Sequence, residues 1–198
     1  MLKTTELTHL LISHIIKEGS RVVDATCGNG NDTLFLSNLV GETGKVFSYD
    51  IQEVAINNTK LLNKNQTNIE YFLRSHEFID QTNLDLVLFN LGFLPNGDKS
   101  ITTVKESTIN AISNLINSYE QNPNLHIFIV VYPGHANGQL ESDTLLAFTK
   151  NLDKRLLVTT YIPHNQNNAP YLITINKKQK TASNNWYSLF FYLFLIFK

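Results

Sequence analysis

Apolar residues fall along this chain in two rhythms. Near the amino end, Leu7, Leu10, Leu11 and Ile15 recur at helical steps, a spacing that collects side chains on one face. Further on come short apolar runs: Arg21 to Ala25, Lys45 to Asp50, Ile69 to Leu73, Leu84 to Asn90, Leu125 to Tyr132, Leu156 to Ile162 and Tyr171 to Asn176. "LDLVLFN" and "LHIFIVVY" hardly alternate, as expected of strands covered on both faces. Helical patterns lie between most runs, at Asp32 to Leu39, Val54 to Asn63, Glu77 to Gln81, Thr102 to Tyr119 and Gln139 to Lys150. This alternation predicts an α/β, doubly wound, Rossmann-like fold: a mostly parallel seven-stranded sheet with helices on both faces. Only "PHNQNNAP" separates the last two runs. They are therefore expected to form an antiparallel C-terminal hairpin at the edge of the sheet.

Composition narrows the class. With 198 residues, 42% hydrophobic and 17% charged, the chain can bury the core of one domain. A net charge of −1 announces no nucleic-acid partner, although a local basic patch remains compatible with one. Cys27 stands alone, so no intrachain disulfide or cysteine-based zinc site is expected, and a reducing cytoplasm suits the chain. His9 and His14 read as residues on the polar face of the first helix rather than metal ligands, and no metal is expected. The domain is expected to span 1–178, followed by a tail, 179–198. From Trp186 to Phe197 that tail is almost wholly apolar, yet shorter than the ~20 residues that cross a bilayer. A buried element, a membrane-surface contact, a partner-binding segment and a poorly integrated tail all fit; an appended segment is the preferred reading.

The chemistry should sit beyond the carboxyl ends of the strands, where ligands of open α/β sheets bind. After the first strand comes "DATCGNGNDT". Gly28 and Gly30 allow a sharp turn and a close backbone approach, and the following helix offers unpaired N–H groups. A dinucleotide fingerprint wants a third glycine three residues after Gly30, where Thr33 stands. Asp24, Asn29, Asn31 and Asp32 also crowd the loop. Carboxylates repel a pyrophosphate and suit a ligand carrying an ammonium group, such as an amino-acid moiety. Asp24 is the candidate for that ammonium, directly or through water, and loop N–H groups for the carboxylate. Asp32 equally suits the cap of the helix.

Asp50 follows the second strand about 20 residues later, where an acid accepts hydrogen bonds from ribose hydroxyls. Gln52, on the same rim, can reach ribose or base. After the third strand, Ser75 suits a helix cap and His76 can flank an adenine. After the fourth, "NLGFLPNGDK" offers Asn90, whose carbonyl can orient an amine, then Leu91, Gly92 and Phe93 as substrate contacts; Asn90 and Gly92 also fit a simple turn. After the fifth, Tyr132 can touch substrate, and His135 can do so or accept a proton. A structural turn fits Pro133-Gly134 equally well. Were a nucleic acid the partner, Lys99, Lys105, Lys154 and Arg155 would be the candidate contacts, although each reads more readily as ordinary solvated surface.

Together, "DATCGNGNDTLFL", "DIQ", "RSHE", "NLGFLPNGDKSITT" and "YPGHANG" resemble a class I S-adenosylmethionine-dependent methyltransferase. More narrowly, they resemble a bacterial family labelled rRNA methylases. Its members are similar to the enzyme that methylates 5-aminomethyl-2-thiouridine at the tRNA wobble position. The resemblance runs over nearly all of Leu2 to Lys178. It implies a homodimer, a tRNA anticodon stem-loop as partner, and S-adenosylmethionine bound at the ends of strands one to three. By that resemblance Asn29, Asn31 and Asp32 line the methionine part, Asp50 and Gln52 the ribose and adenine, and Ser75 and His76 the adenine side. The implied reaction turns an aminomethyl group into methylaminomethyl, with Asn90 and His135 as the catalytic candidates. Other RNA, small-molecule or protein amines, or cofactor binding without turnover, are the alternatives. Phe93 stands where the family pattern has a tyrosine.

Overall fold

The computed structural model describes residues 3–92, 105–134 and 136–178. In chain order these form α1 (Thr4–Ile15), β1 (Arg21–Asp24), α2 (Asn31–Val40), β2 (Lys45–Asp50), α3 (Glu53–Leu62), β3 (Ile69–Leu73), β4 (Leu86–Asn90), α4 (Lys105–Asn117), β5 (His126–Val131), α5 (Ala136–Lys150), β6 (Leu156–Tyr161) and β7 (Tyr171–Lys177). Phe93, Lys99, His135 and the tail 179–198 lie outside the described residues.

The seven strands make one sheet in the order β3-β2-β1-β4-β5-β7-β6. β1 to β3 step outward on one side, and β4 restarts on the other side of β1. The order therefore reverses between β1 and β4, and the crevice beyond their carboxyl ends is the expected ligand site.

Successive residues of each strand serve opposite faces. On one face Val23, Val87, Phe89, Ile127 and Ile129 pack with Ala111, Ile112 and Leu115 of α4 and Leu145 of α5. On the other, Val22, Val46, Leu86, Leu88 and Phe128 pack with Ile12 of α1 and Leu36 and Val40 of α2. Both sides being covered explains why the central runs do not alternate. Ile12 and Leu36 are fully enclosed, each contributing about 1.5–3 kcal/mol of burial. They clamp α1 and α2 firmly to the sheet.

The last two strands differ from expectation in one respect. They are antiparallel to each other, but the reversed strand, β7, lies inside the sheet between β5 and β6. β6 is the edge and runs parallel with the rest. The side chains explain the choice. β7 buries Tyr171, Leu172, Ile173 and Ile175, whereas β6 buries little beyond Leu156, so the more apolar strand takes the covered place. The helix expected at Glu77 to Gln81 is a single 3-10 turn, His76–Phe78, that ends where Ile79 becomes extended.

Candidate functional site

The loop from β1 to α2 is held by its own backbone and by its neighbours. Gly28 and Gly30 have φ of +52° and +86°, in the left-handed region that a side chain disfavours. Gly30 is also pressed against α3: a Cβ there would lie 2.8 Å from Thr59 Cα and 2.9 Å from Asn63 Nδ2. The Gly30 N–H donates to Cys27 O at 2.7 Å, and the Cys27 N–H to Tyr49 O at 2.9 Å, which ties the turn to β2.

Thr33, in place of a third glycine, proves to be structural. Its hydroxyl lies 2.6 Å from Asp24 Oδ2 and 2.9 Å from Ser48 Oγ, pinning α2 to the ends of β1 and β2. Asp24 also accepts from the Thr26 N–H at 3.3 Å and is fully enclosed. Burial, reinforced by the charges of Asp32 and Asp50, raises its pKa. Asp24 is thus no direct contact for a ligand's ammonium group; it braces the loop from below. Cys27 is buried against the Thr59 hydroxyl, and burial pushes its thiol up to about 12. It is a packing residue without nucleophilic character.

Asp50 closes β2. One carboxylate oxygen accepts from the Gly28 N–H at 3.0 Å and the other from the Gln52 N–H at 2.9 Å. Burial raises its pKa against these hydrogen bonds. The side chain is only half-buried, and each oxygen keeps a further lone pair, the equipment needed to receive a vicinal diol. Gln52 occupies the N-cap position of α3 beside it, with no side-chain capping bond. Asn29 is half-buried, its side-chain oxygen accepting from Asn58 Nδ2 at 3.0 Å, while Asn31 is exposed as the first residue of α2. Both lie on the open side of the loop.

Asp32 does not cap α2. Gly30 takes that position without a side-chain bond. The Asp32 carboxylate instead receives His9 Nε2 of α1 at 2.7 Å on Oδ1 and Asn90 Nδ2 of β4 at 2.8 Å on Oδ2. The Thr26 hydroxyl clasps Asn90 at the main chain, accepting from its N–H at 2.8 Å and donating to its carbonyl at 3.2 Å. Tyr132, half-buried at the end of β5, interacts with the Asn90 side chain; burial raises its pKa, as does the charge of Asp32. The structure thus brings Asp32, Asn90 and Tyr132 together, with Gly92 next to the Tyr132 ring.

Four expected contacts fall elsewhere. Leu91 is fully buried in the core, because it continues β4's alternation, so its side chain contacts no substrate. His76 is 7% exposed, edge-on to Phe89 with ring centroids 5.4 Å apart, and burial lowers its pKa to about 4. It is a neutral internal brace and offers no face to an adenine. Lys154 and Arg155 precede β6, which runs parallel to β4. They lie at the opposite rim of the sheet from Asn90, with Arg155 paired to Asp153 at 2.8 Å. Lys105 opens α4. Ser75 does cap its turn, accepting from the Glu77 N–H at 3.2 Å.

His9 is the residue that sequence reasoning assigned to a solvated helix face. Nothing in its local spacing announces a partner on α2; only the packing of α1 on the sheet brings the two together. Among the described residues no cluster of metal-ligating side chains occurs, and no helix is long and apolar enough to cross a membrane.

Several known proteins share this chain's sequence and shape. A family described as "Putative rRNA methylase" matches residues 46–177. The chloroplast tRNA (mnm(5)s(2)U34)-methyltransferase of Arabidopsis thaliana is 35% identical over 166 residues, 76% of this chain and 60% of that protein. This chain therefore spans less than two thirds of that relative's length. A Clostridium thermocellum structure with the same description as the family superposes with a TM-score of 0.82 at 38% identity, covering 90% of this chain and 99% of that one. A Streptococcus mutans protein described as a methyltransferase, solved in complex with SAH, gives 0.77 at 32% identity over 90% and 99% of the two chains.

Proposed function

The chain belongs to the rRNA methylase family, and from that premise we propose that it is an S-adenosylmethionine-dependent N-methyltransferase. Its acceptor is the aminomethyl group of 5-aminomethyl-2-thiouridine at the tRNA wobble position, converted to methylaminomethyl. The observation that carries the cofactor is the acidic rim. Asp50, clasped by the Gly28 and Gln52 N–H groups, suits ribose hydroxyls and repels phosphate. Asp32, in the first turn of α2, gives the site the negative charge that a cationic amino-acid ligand needs. Asn29 and Asn31 line the methionine side, and Gln52 and Ser75 the adenine side.

When bound, the cofactor supplies a methyl group already activated by a sulfonium, so the protein's task is placement. Asn90 stands across the crevice, its backbone fixed by Thr26 and its amide nitrogen by Asp32. The remaining amide oxygen accepts an N–H of the incoming amine and aims its lone pair. With the cofactor bound, the methyl would pass from sulfur to this nitrogen, the S–C bond breaking as the N–C bond forms, and the nitrogen would shed a proton to water. Orienting two reactants this way is worth about 7–11 kcal/mol. Tyr132 and Gly92 border the acceptor. The acceptor nucleotide would enter at the rim that carries Asn90 and Tyr132, and Lys154 and Arg155, at the opposite rim, would not contact it. The relative named for U34 of tRNA supports this acceptor, the family resemblance supports a homodimer, and the single cysteine, Cys27, suits a reducing cytoplasm.

The test is one assay: tRNA undermodified at the aminomethyl stage, S-adenosylmethionine and the protein, followed by nucleoside mass spectrometry. Gain of one methyl on the wobble nucleoside is expected. Cofactor binding with no methylated nucleoside would refute this acceptor.

A further inference from the structure

α1 precedes the segment that the family matches, yet it reaches the site through His9. The His9 ring stacks on Phe35 of α2 with centroids 3.8 Å apart and planes 4° from parallel. That contact fixes the ring so that Nε2 donates to Asp32 Oδ1 at 2.7 Å. The other oxygen of the same carboxylate receives Asn90 Nδ2 at 2.8 Å. Three elements, α1, α2 and β4, therefore meet in one carboxylate with a donor on each oxygen. A carboxylate held at one oxygen alone can turn about its terminal bond; held at both, it cannot. An amide that gives its nitrogen to such an acceptor must turn its oxygen the other way.

We propose that His9 is a positioning residue for methyl transfer: by locking Asp32 it keeps the amide oxygen of Asn90 presented to the acceptor nitrogen. This rests on the reading that Asn90 orients the amine. The side chains of His9 and Asp32 are 31% and 15% exposed, so removing His9 takes away a partly shielded contact together with its stacking on Phe35. Melting curves of each variant establish that it is folded before turnover, cofactor affinity and amide signals are compared.

The experiment uses the whole protein with three readouts: turnover on undermodified tRNA, S-adenosylmethionine affinity by calorimetry, and the side-chain amide signals of Asn90 by ¹H–¹⁵N NMR without substrate. His9→Ala is expected to lower kcat at least about tenfold while cofactor affinity stays within about twofold, and to abolish the exchange protection of the Asn90 amide. His9→Gln, which restores an N–H donor, recovers most of both. The double variant His9→Ala/Asn90→Ala turns over no more slowly than Asn90→Ala alone, because coupled residues are not additive. Normal turnover in His9→Ala, cofactor affinity falling in step with kcat, an unchanged Asn90 amide, or additive losses in the double variant would each overturn the proposal. Wild-type turnover in Asn90→Ala would remove the Asn90 reading itself; slow Asn90→Ala with normal His9→Ala removes only the role of His9.

Discussion

Replacing Gly30 with alanine tests the glycine loop where two costs coincide. The backbone sits at φ +86°, which costs an L-residue about 1–2 kcal/mol. The new Cβ would also lie 2.8 Å from Thr59 Cα and 2.9 Å from Asn63 Nδ2. The first is backbone of a packed helix and cannot swing aside, so overpacking adds about 1–3 kcal/mol. Gly30→Ala should therefore lose about 2–5 kcal/mol in urea unfolding. Relief of the clash moves the loop that presents the Gly28 N–H to Asp50, so cofactor affinity should fall at least about tenfold, or about 1.4 kcal/mol. Gly44→Ala is the control. Its Cβ would meet Val40 Cβ at 2.5 Å and the carbonyl oxygens of Val40 and Ser20 at 2.6 and 2.7 Å, costing about 1–3 kcal/mol of stability. Gly44 precedes β2, at the opposite end of the sheet, so this variant should bind cofactor normally. A Gly30→Ala protein within about 1 kcal/mol of wild type, with unchanged cofactor affinity, would refute the reasoning.

Asp50→Ala removes the proposed ribose acceptor and strands two loop N–H groups; with charged hydrogen bonds worth about 1.5–3 kcal/mol each, calorimetry should show S-adenosylmethionine binding at least about 100-fold weaker. Asn90→Ala should keep that affinity within about threefold and lose turnover by about 10²-fold, the scale of a misplaced reactant, as measured in single-turnover assays. Glu141 on α5 is buried with Oε1 unpartnered, and burial raises its pKa from 4.5 to about 7. The folded state thus holds this proton more tightly than the unfolded state, so the contribution is fully present below pH about 4.5 and is lost as pH rises through about 7. The loss is about 1–3 kcal/mol. Glu141→Gln should match wild type in urea melts at low pH and exceed it at pH ~8 by that amount; parallel curves at both would contradict the burial argument.

The fold was legible in the sequence because the signal is physical and repeated. Runs such as "LHIFIVV" can exist only with both faces covered, and the helical patterns between them dictate parallel crossovers. What escaped were relations between distant residues. The insertion of β7 depends on comparing how much each hairpin strand buries, and the hairpin signal alone says only that two strands pair. In the site, the place of Asp50 beside the glycine loop was legible because its distance from that loop is set by one strand-helix-strand unit. Asp24 and Asp32 look alike in sequence, yet Thr33 seals one beneath the loop and His9 meets the other in the crevice. Leu91 follows Asn90 directly, but alternation along β4 sends its side chain into the core. Charges such as Lys154 carry no local mark of which rim they occupy.

The place of β7 also dictates an order of events for the nascent chain. β6 is made before β7 but touches the sheet only through it, so β6 has no docking partner until Tyr171–Lys177 has emerged. Until then β5, with the sequence His-Ile-Phe-Ile-Val-Val, is an open apolar border. Such a border recruits strands from other molecules as readily as its own. A message cut short before the codon for Tyr171 would leave that border permanently unsealed, and its product is expected to collect in insoluble material rather than persist as a smaller working enzyme.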